Sequence, residues 1–275
     1  MSKILNQLSD ARTVSDGLQP ERRIAELLAP LDLLAAKSSS LIAWPIGNFE
    51  RDGRQYEIPR YIFVGPQDGD TSIPIGIFAG VHGDEPEGVR ALVKFVRLLE
   101  SKPEWAAGYC LFIYPICNPT GLEANTAFSS NGKDLNREMI KFSAEPEVSL
   151  LQAELAARPV NGIIKLHNNR ADDAFHALAR GETLAKHLLE PALALAAGLL
   201  KACDGGIKFC ARDTSYDHYE GGLSKLAEEV PVAPFEIALE TPVSASVEAR
   251  EAALVAALVA ILAEYRKFLA YAPNL

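Results

Sequence analysis

Residues 79–88 read AGVHGDEPEG, with one histidine, three carboxylates and three glycines directly after the apolar run IPIGIF at 73–78. His82 and Glu85 stand three residues apart, so a tight turn or the first turn of a helix can aim both side chains at one point. That chemistry suits a metal: Zn2+ in a hydrolase takes three ligands from histidine and carboxylate and keeps a fourth position for water. An ordinary polar loop that happens to hold a histidine has the same composition. A third ligand must come from elsewhere, and His167 ends another apolar run, VNGIIKLH. By contrast, His176, His187 and His218 fall in segments read as loop or helix.

The elements that must position these residues alternate in type. IPIGIFAG reads as a strand buried on both faces, and PEGVRALVKFVRLLE as a helix opened by Pro86, with apolar residues at 89, 92, 93, 96 and 99. YCLFIYPIC (109–117) is the next strand, followed by NPTG as a turn and an irregular loop over 118–143. PEVSLLQAELAAR is helical, VNGIIKLH a strand ending on His167, and 180–202 a helix broken near Pro191. APFEIALETP forms a last strand and 245–271 a long terminal helix. Upstream, 1–40 is helix-like, and 41–66 carries short β-type runs suited to an antiparallel edge or hairpin.

This order predicts an α/β fold: a mixed, mostly parallel twisted sheet covered by helices on both faces, in one domain over 1–275 with a helical N-terminal extension at 1–40. Ligands of such sheets gather beyond the carboxyl ends of the strands. His82, Asn118, His167 and Glu240 all stand at such ends.

Composition narrows the function classes. The 275 residues are 48% hydrophobic, enough for a sizeable core, and carry a net charge of −9. Without clustered Lys and Arg there is no footprint for nucleic acid. No apolar run reaches the length of a membrane span, and the N-terminus lacks the uninterrupted apolar segment of a secretory signal. The four cysteines (110, 117, 203 and 210) form no CxxC pair and read as small core residues. A soluble cytoplasmic protein with reduced thiols is expected. No G-x-S-x-G elbow occurs, which disfavours a serine hydrolase.

GVHGDEPEG, NPTG, KDLNRE, the strand-end LH and EIALETP occur in this order over roughly residues 73–242. In order and context they resemble the zinc carboxypeptidase family, including its succinylglutamate desuccinylase and aspartoacylase branch. The string Asp134-Leu135-Asn136-Arg137 after an Asn-Pro-x-Gly turn is the most specific element. The resemblance implies Zn2+ held by His82, Glu85 and His167, with Glu240 as the general base that takes a proton from the attacking water. Glu236 is the rival base, less well placed because it precedes the apolar run IAL. Asn136 and Arg137 would bind a substrate carboxylate, which arginine can grip with two parallel hydrogen bonds. Without the flanking motifs, Asp134 capping a helix and Arg137 in a structural ion pair explain the same string.

One departure stands out. Zinc carboxypeptidases usually carry another arginine shortly before the Asp-Leu-Asn-Arg string, pointed at the scissile carbonyl, and Ala127 stands about there in this chain. Losing one such donor typically costs on the order of 10²–10³ in rate. Arg170, three residues after His167, is the favoured replacement; Lys133 is nearer in sequence but reads as solvated. Tyr219, with Tyr216, stands in a Gly-flanked loop suited to covering a substrate. The expected activity is zinc-dependent hydrolysis of an amide bond in a small carboxylate-bearing peptide or N-acyl amino acid. The alternative is a catalytically degenerate metal- or ligand-binding protein on the same fold, motivated by Ala127.

Overall fold

The structure is a computed structural model that describes residues 20–67, 72–139, 143–171, 173–179, 185–200, 208–213 and 234–271. Helix α1 (Pro20–Ala35) opens it and accommodates Pro30 within its length. Strand β1 (Leu41–Ala43) follows, then β2 (Gly47–Arg51) and β3 (Arg54–Ile58), which form the expected hairpin. Its two-residue turn is Asp52-Gly53, with φ of 50° and 75°. Asp-Gly suits this turn because both central residues take positive φ, matching the twist of the strands. β4 (Tyr61–Val64) pairs antiparallel with β1 and with β6 (Tyr109–Tyr114), the antiparallel edge read from 41–66.

β5 (Ile73–Phe78) runs parallel to β6 on one side and to β7 (Gly162–Asn169) on the other. Its flanked position explains the continuous apolar run: residues 75 to 78 are all buried. Helix α2 (Pro86–Ser101) starts on Pro86, whose missing N–H belongs to a position that has no intrahelical partner anyway. Its residues Val89, Leu92, Val96 and Leu99 are fully buried and Val93 nearly so. The remaining strands are β8 (Ala174–Ala179), β9 (Lys208–Asp213) and β10 (Phe235–Pro242). Eight strands hydrogen-bond in the order β1-β4-β6-β5-β7-β10-β8-β9. β8 runs antiparallel to β10 and parallel to β9, so the sheet is mixed and mostly parallel, with helices between its strands.

Several local expectations change. Asn118-Pro119 does not close a turn but opens helix α3 (Pro119–Ala124), because the Asn118 side chain accepts from the Gly121 N–H as an N-cap. Asp134 likewise caps α4 (Leu135–Glu138), so 118–143 is not one irregular loop. Helix α5 (Pro146–Ala157) agrees with the reading. β7 continues two residues past His167. His176 lies in strand β8 rather than in a loop. Near Pro191 the helical type changes, from a π-turn at Ala185–Leu189 to helix α6 (Glu190–Leu200); proline at the second position of α6 is tolerated there. Helix α7 (Val247–Tyr271) closes the chain as expected.

By internal contacts the chain divides into two compact units. The first comprises the described residues among 166–219 and 237–275; the second comprises those among 14–165 and 220–236. The core of the second unit gathers Phe78, Val81, Tyr114, Cys117, Leu135, Met139, Leu151 and Ile163, with the Phe78 and Tyr114 rings stacked at 4.5 Å. Leu135 of the Asp-Leu-Asn-Arg string is fully buried in it, which anchors a helix of only four residues. Lys165 and Glu236 form a buried ion pair in this unit, Nζ to Oε1 at 2.6 Å.

Candidate metal centre

In the second unit, the loop after β5 is tied down by backbone bonds that prolong the β5–β6 ladder. Ala79 N–H donates to Tyr114 O, Cys117 N–H to Ala79 O and Asn118 N–H to Gly80 O, at 2.9, 3.2 and 2.8 Å. The buried Asn118 side chain donates to Val81 O at 3.1 Å while capping α3. Gly80 has φ of 59°, and Gly83 lies so close to α3 that a Cβ there would stand 1.9 Å from the Gly121 carbonyl carbon. At Gly83 the absence of a side chain is thus a necessity of backbone packing.

This loop presents His82, and Glu85 sits at the N-cap of α2, its own N–H bonded to His82 O at 3.3 Å. The two side chains face each other, Nδ1 to Oε1 at 3.1 Å. On the far side of the ring, Nε2 lies 3.4 Å from Asp134 Oδ1. The ring therefore has one nitrogen toward Glu85 and the other held by a carboxylate, the arrangement that fixes the orientation of a metal-ligating histidine. Burial pulls the His82 pKa down, but hydrogen bonds to Asp134 and Glu85 outweigh it and push it up to about 10. The same bond to His82 holds the Asp134 carboxyl below its ordinary range. The neighbouring carboxylate Glu87 pairs with Arg90 at 3.4 Å.

His167, inside β7, is buried. His82, Glu85 and His167 each offer one ligand atom, and the three atoms lie within 4.8 Å of one another. Among the described residues this is the one group of three His, Cys, Asp or Glu that could hold a metal ion. Tetrahedral Zn2+ with bonds near 2.0–2.1 Å needs ligand atoms about 3.3 Å apart, within reach of small side-chain adjustments. The donor set of two imidazoles and one carboxylate, with Asp134 behind the first, fits zinc.

The other residues fall as follows. In the first unit, Glu240 is partly exposed on β10 and stands opposite His176 in the antiparallel register with β8. Glu236, the rival base, is committed to the buried pair with Lys165. Asn136 is half-buried, and Arg137 is largely exposed with Nε 3.4 Å from Asp134 Oδ2. Asp134 also accepts from the backbone N–H groups of Asn136 and Arg137 at 3.0 and 3.4 Å. Both the cap and the ion pair weighed for this string are therefore present. Arg170 is exposed, directly after β7. Tyr216, His218 and Tyr219 lie outside the described residues. Reading from sequence missed Asp134 as the support of His82; its only signal was a cap residue two positions before Asn136.

Residues 74–192 match the succinylglutamate desuccinylase/aspartoacylase catalytic domain. No curated protein matches the chain. Among solved structures, a metallo-carboxypeptidase from Burkholderia cenocepacia superposes with a TM-score of 0.66 at 18% identity, over 90% of this chain and 69% of that one. Bovine thrombin-activatable fibrinolysis inhibitor, solved with tick carboxypeptidase inhibitor, gives 0.64 at 12% identity over 91% and 98%. A metallo-carboxypeptidase from Pseudomonas aeruginosa in complex with (2-guanidinoethylmercapto)succinic acid gives 0.55 at 17% over 86% and 68%. At these identities the structures establish the fold. Over residues 74–192 the chain is similar to the succinylglutamate desuccinylase/aspartoacylase catalytic domain, and its fold is carboxypeptidase-like.

Proposed function

We propose that the protein is a zinc-dependent amide hydrolase acting on a small carboxylate-bearing peptide or N-acyl amino acid. The observation that carries this reading is the convergence of one ligand atom from each of His82, Glu85 and His167 within 4.8 Å. The similarity of residues 74–192 to a succinylglutamate desuccinylase/aspartoacylase catalytic domain and the carboxypeptidase-like fold support it. When bound, zinc supplies Lewis acidity, acidifying water toward a pKa of ~7 and polarising the scissile carbonyl.

The chain's own groups do the rest. Glu240 takes the proton of the attacking water and passes it to the leaving nitrogen, the role of a carboxylate within hydrogen-bond reach of both. Its placement is supported within the first unit. Thr241 Oγ1 donates to Asn168 Oδ1 at 3.0 Å, which sets Thr241 beside Asn168 and Glu240 beside His167 on the opposite face. Glu236 is withdrawn from this role by Lys165. Asn136 and Arg137 hold the substrate carboxylate, supported by the exposure of Arg137, whose ion pair with Asp134 uses only Nε and leaves the forked end to grip an anion. Arg170, exposed directly after β7, stands in for the arginine replaced at Ala127. A cytoplasmic location is part of the proposal and rests on Cys110 and Cys117 standing as free thiols.

Ala127 favours a second reading, a protein that keeps the metal and binds ligands without turnover. The zinc-loaded protein, assayed against carboxyl-terminal dipeptides and N-acyl amino acids, separates the two. Hydrolysis that Glu240→Gln abolishes while zinc is retained supports the enzyme. No turnover of any amide, with zinc bound, supports the binder.

A further inference from the structure

The first-unit residues of three adjacent strands carry a row of polar side chains that the mechanism above uses only in part. β10 lies between β7 and β8. On the β7 side, the bond from Val243 N–H to Asn169 O at 3.0 Å and the Thr241–Asn168 contact set the register. His167 and Glu240 are then neighbours on one face. On the β8 side, Glu240 pairs directly with His176 across the antiparallel ladder, with Leu239↔Ala177 and Ala238↔Leu178 beside it. Side chains directly opposite in such a ladder share a face, with Cβ atoms about 4.5–5.5 Å apart. Glu240 thus stands between two histidines, one the metal ligand and the other a residue with no role assigned so far.

From this row we infer that His176 is a positioning residue for Glu240: its imidazole N–H donates to one carboxylate oxygen and leaves the other to serve as the base. His176 is 5% exposed, whereas Glu240 is partly open to solvent. A buried ring is held in one rotamer by its packing, while a partly exposed glutamate has three soft torsions of its own. One hydrogen bond from the fixed partner restricts the mobile one, and misplacing a catalytic group by about 1 Å can cost 10²-fold in rate. The neighbours of His176 in its strand are Phe175 and Ala177, both fully buried, so the ring stands in a rigid wall. A histidine present only to fill space would be replaceable by leucine.

The inference rests on the reading of Glu240 as the base, and its test has one arm that does not depend on turnover. In the zinc-loaded full chain labelled with 15N-histidine, the His176 ring resonances, assigned through His176→Asn, are compared between wild type and Glu240→Gln. Pairing moves them; unmoved resonances overturn the inference whether or not the protein is active. In the activity arm, His176→Leu lowers kcat by about tenfold or more, with KM within about twofold and zinc content intact. His176→Gln, which keeps an N–H donor, restores part of the loss. Wild-type kcat in folded His176→Leu overturns the inference. If no amide is hydrolysed by wild type, the hydrolase reading fails, while the resonance comparison still decides the pairing. Should His176→Leu not fold, His176→Gln against His176→Asn carries the kinetic comparison, and equal, undiminished kcat in both contradicts a positioning role.

Discussion

At the scale of single residues, Asp134 separates two roles that one carboxylate fills together. It caps α4 through backbone N–H groups and holds His82 Nε2. Asp134→Asn keeps a good N-cap but removes the charge facing the ring, so stability should stay near wild type while zinc affinity falls about 10–100-fold. Competition with a chromophoric chelator measures this, and unchanged affinity would show that His82 needs no carboxylate behind it. Protonation gives a second handle. With its pKa pushed up to about 10, above the ordinary value of 6.5, metal-free His82 carries a proton at neutral pH. A ligating nitrogen must give that proton up. Zinc binding at neutral pH should therefore release about one proton from His82, and affinity should rise with pH toward about 10 before levelling. Calorimetry in buffers of different ionisation enthalpy reports the release; a binding heat independent of buffer would contradict it.

At the scale of elements, close backbone packing holds the loop that carries His82, and a buried ion pair joins β7 to β10. A Cβ at Gly83 would fall inside the α3 backbone, so Gly83→Ala must shift the loop that carries His82 or the helix behind it. Overpacking of this kind costs typically 1–3 kcal/mol, and here it should also weaken zinc binding. Urea unfolding and the chelator assay read both, and a variant as stable and as tight as wild type would mean that the loop is not held against α3. Breaking the Lys165–Glu236 pair with Lys165→Met leaves a buried carboxylate alone and should destabilise by about 3–5 kcal/mol. Adding Glu236→Leu removes the stranded charge and should recover most of that loss. A double variant no more stable than Lys165→Met in urea melts would place the cost elsewhere.

The same scale shows what could be read from the sequence. The strand–loop–helix around His82 was legible because its signals agree: an apolar run, glycines, then Pro86 and helical spacing. β8 was not, since AFHALA is half alanine, a weak strand former, and becomes a strand by pairing with β10. Missing that strand concealed His176 beside Glu240. α3 and α4 were read as loop because each is too short to show periodicity; their caps, Asn118 and Asp134, were the only signals. β7 outran His167 because Asn168 and Asn169 find partners in Thr241 and the Ala174 carbonyl, contacts made by residues distant in sequence or across a turn.

At the scale of the whole molecule, the mixed, mostly parallel sheet was expected from the alternation of strands and helices, and the carboxypeptidase-like fold from the motif resemblance; both are present. No helix among the described residues is long and apolar enough to cross a membrane. A turn after β5, the N-cap of α2 and the interior of β7 carry His82, Glu85 and His167, each offering one atom that could ligate a metal ion. The central claim is that these three side chains bind one zinc ion, and direct titration of the metal-free chain with zinc against a competing chelator tests it. One equivalent should bind in wild type, with affinity lowered about a hundredfold or more in each of His82→Ala, Glu85→Ala and His167→Ala, since each removes one of three protein ligands. Wild-type affinity in any of the three folded variants would contradict the claim.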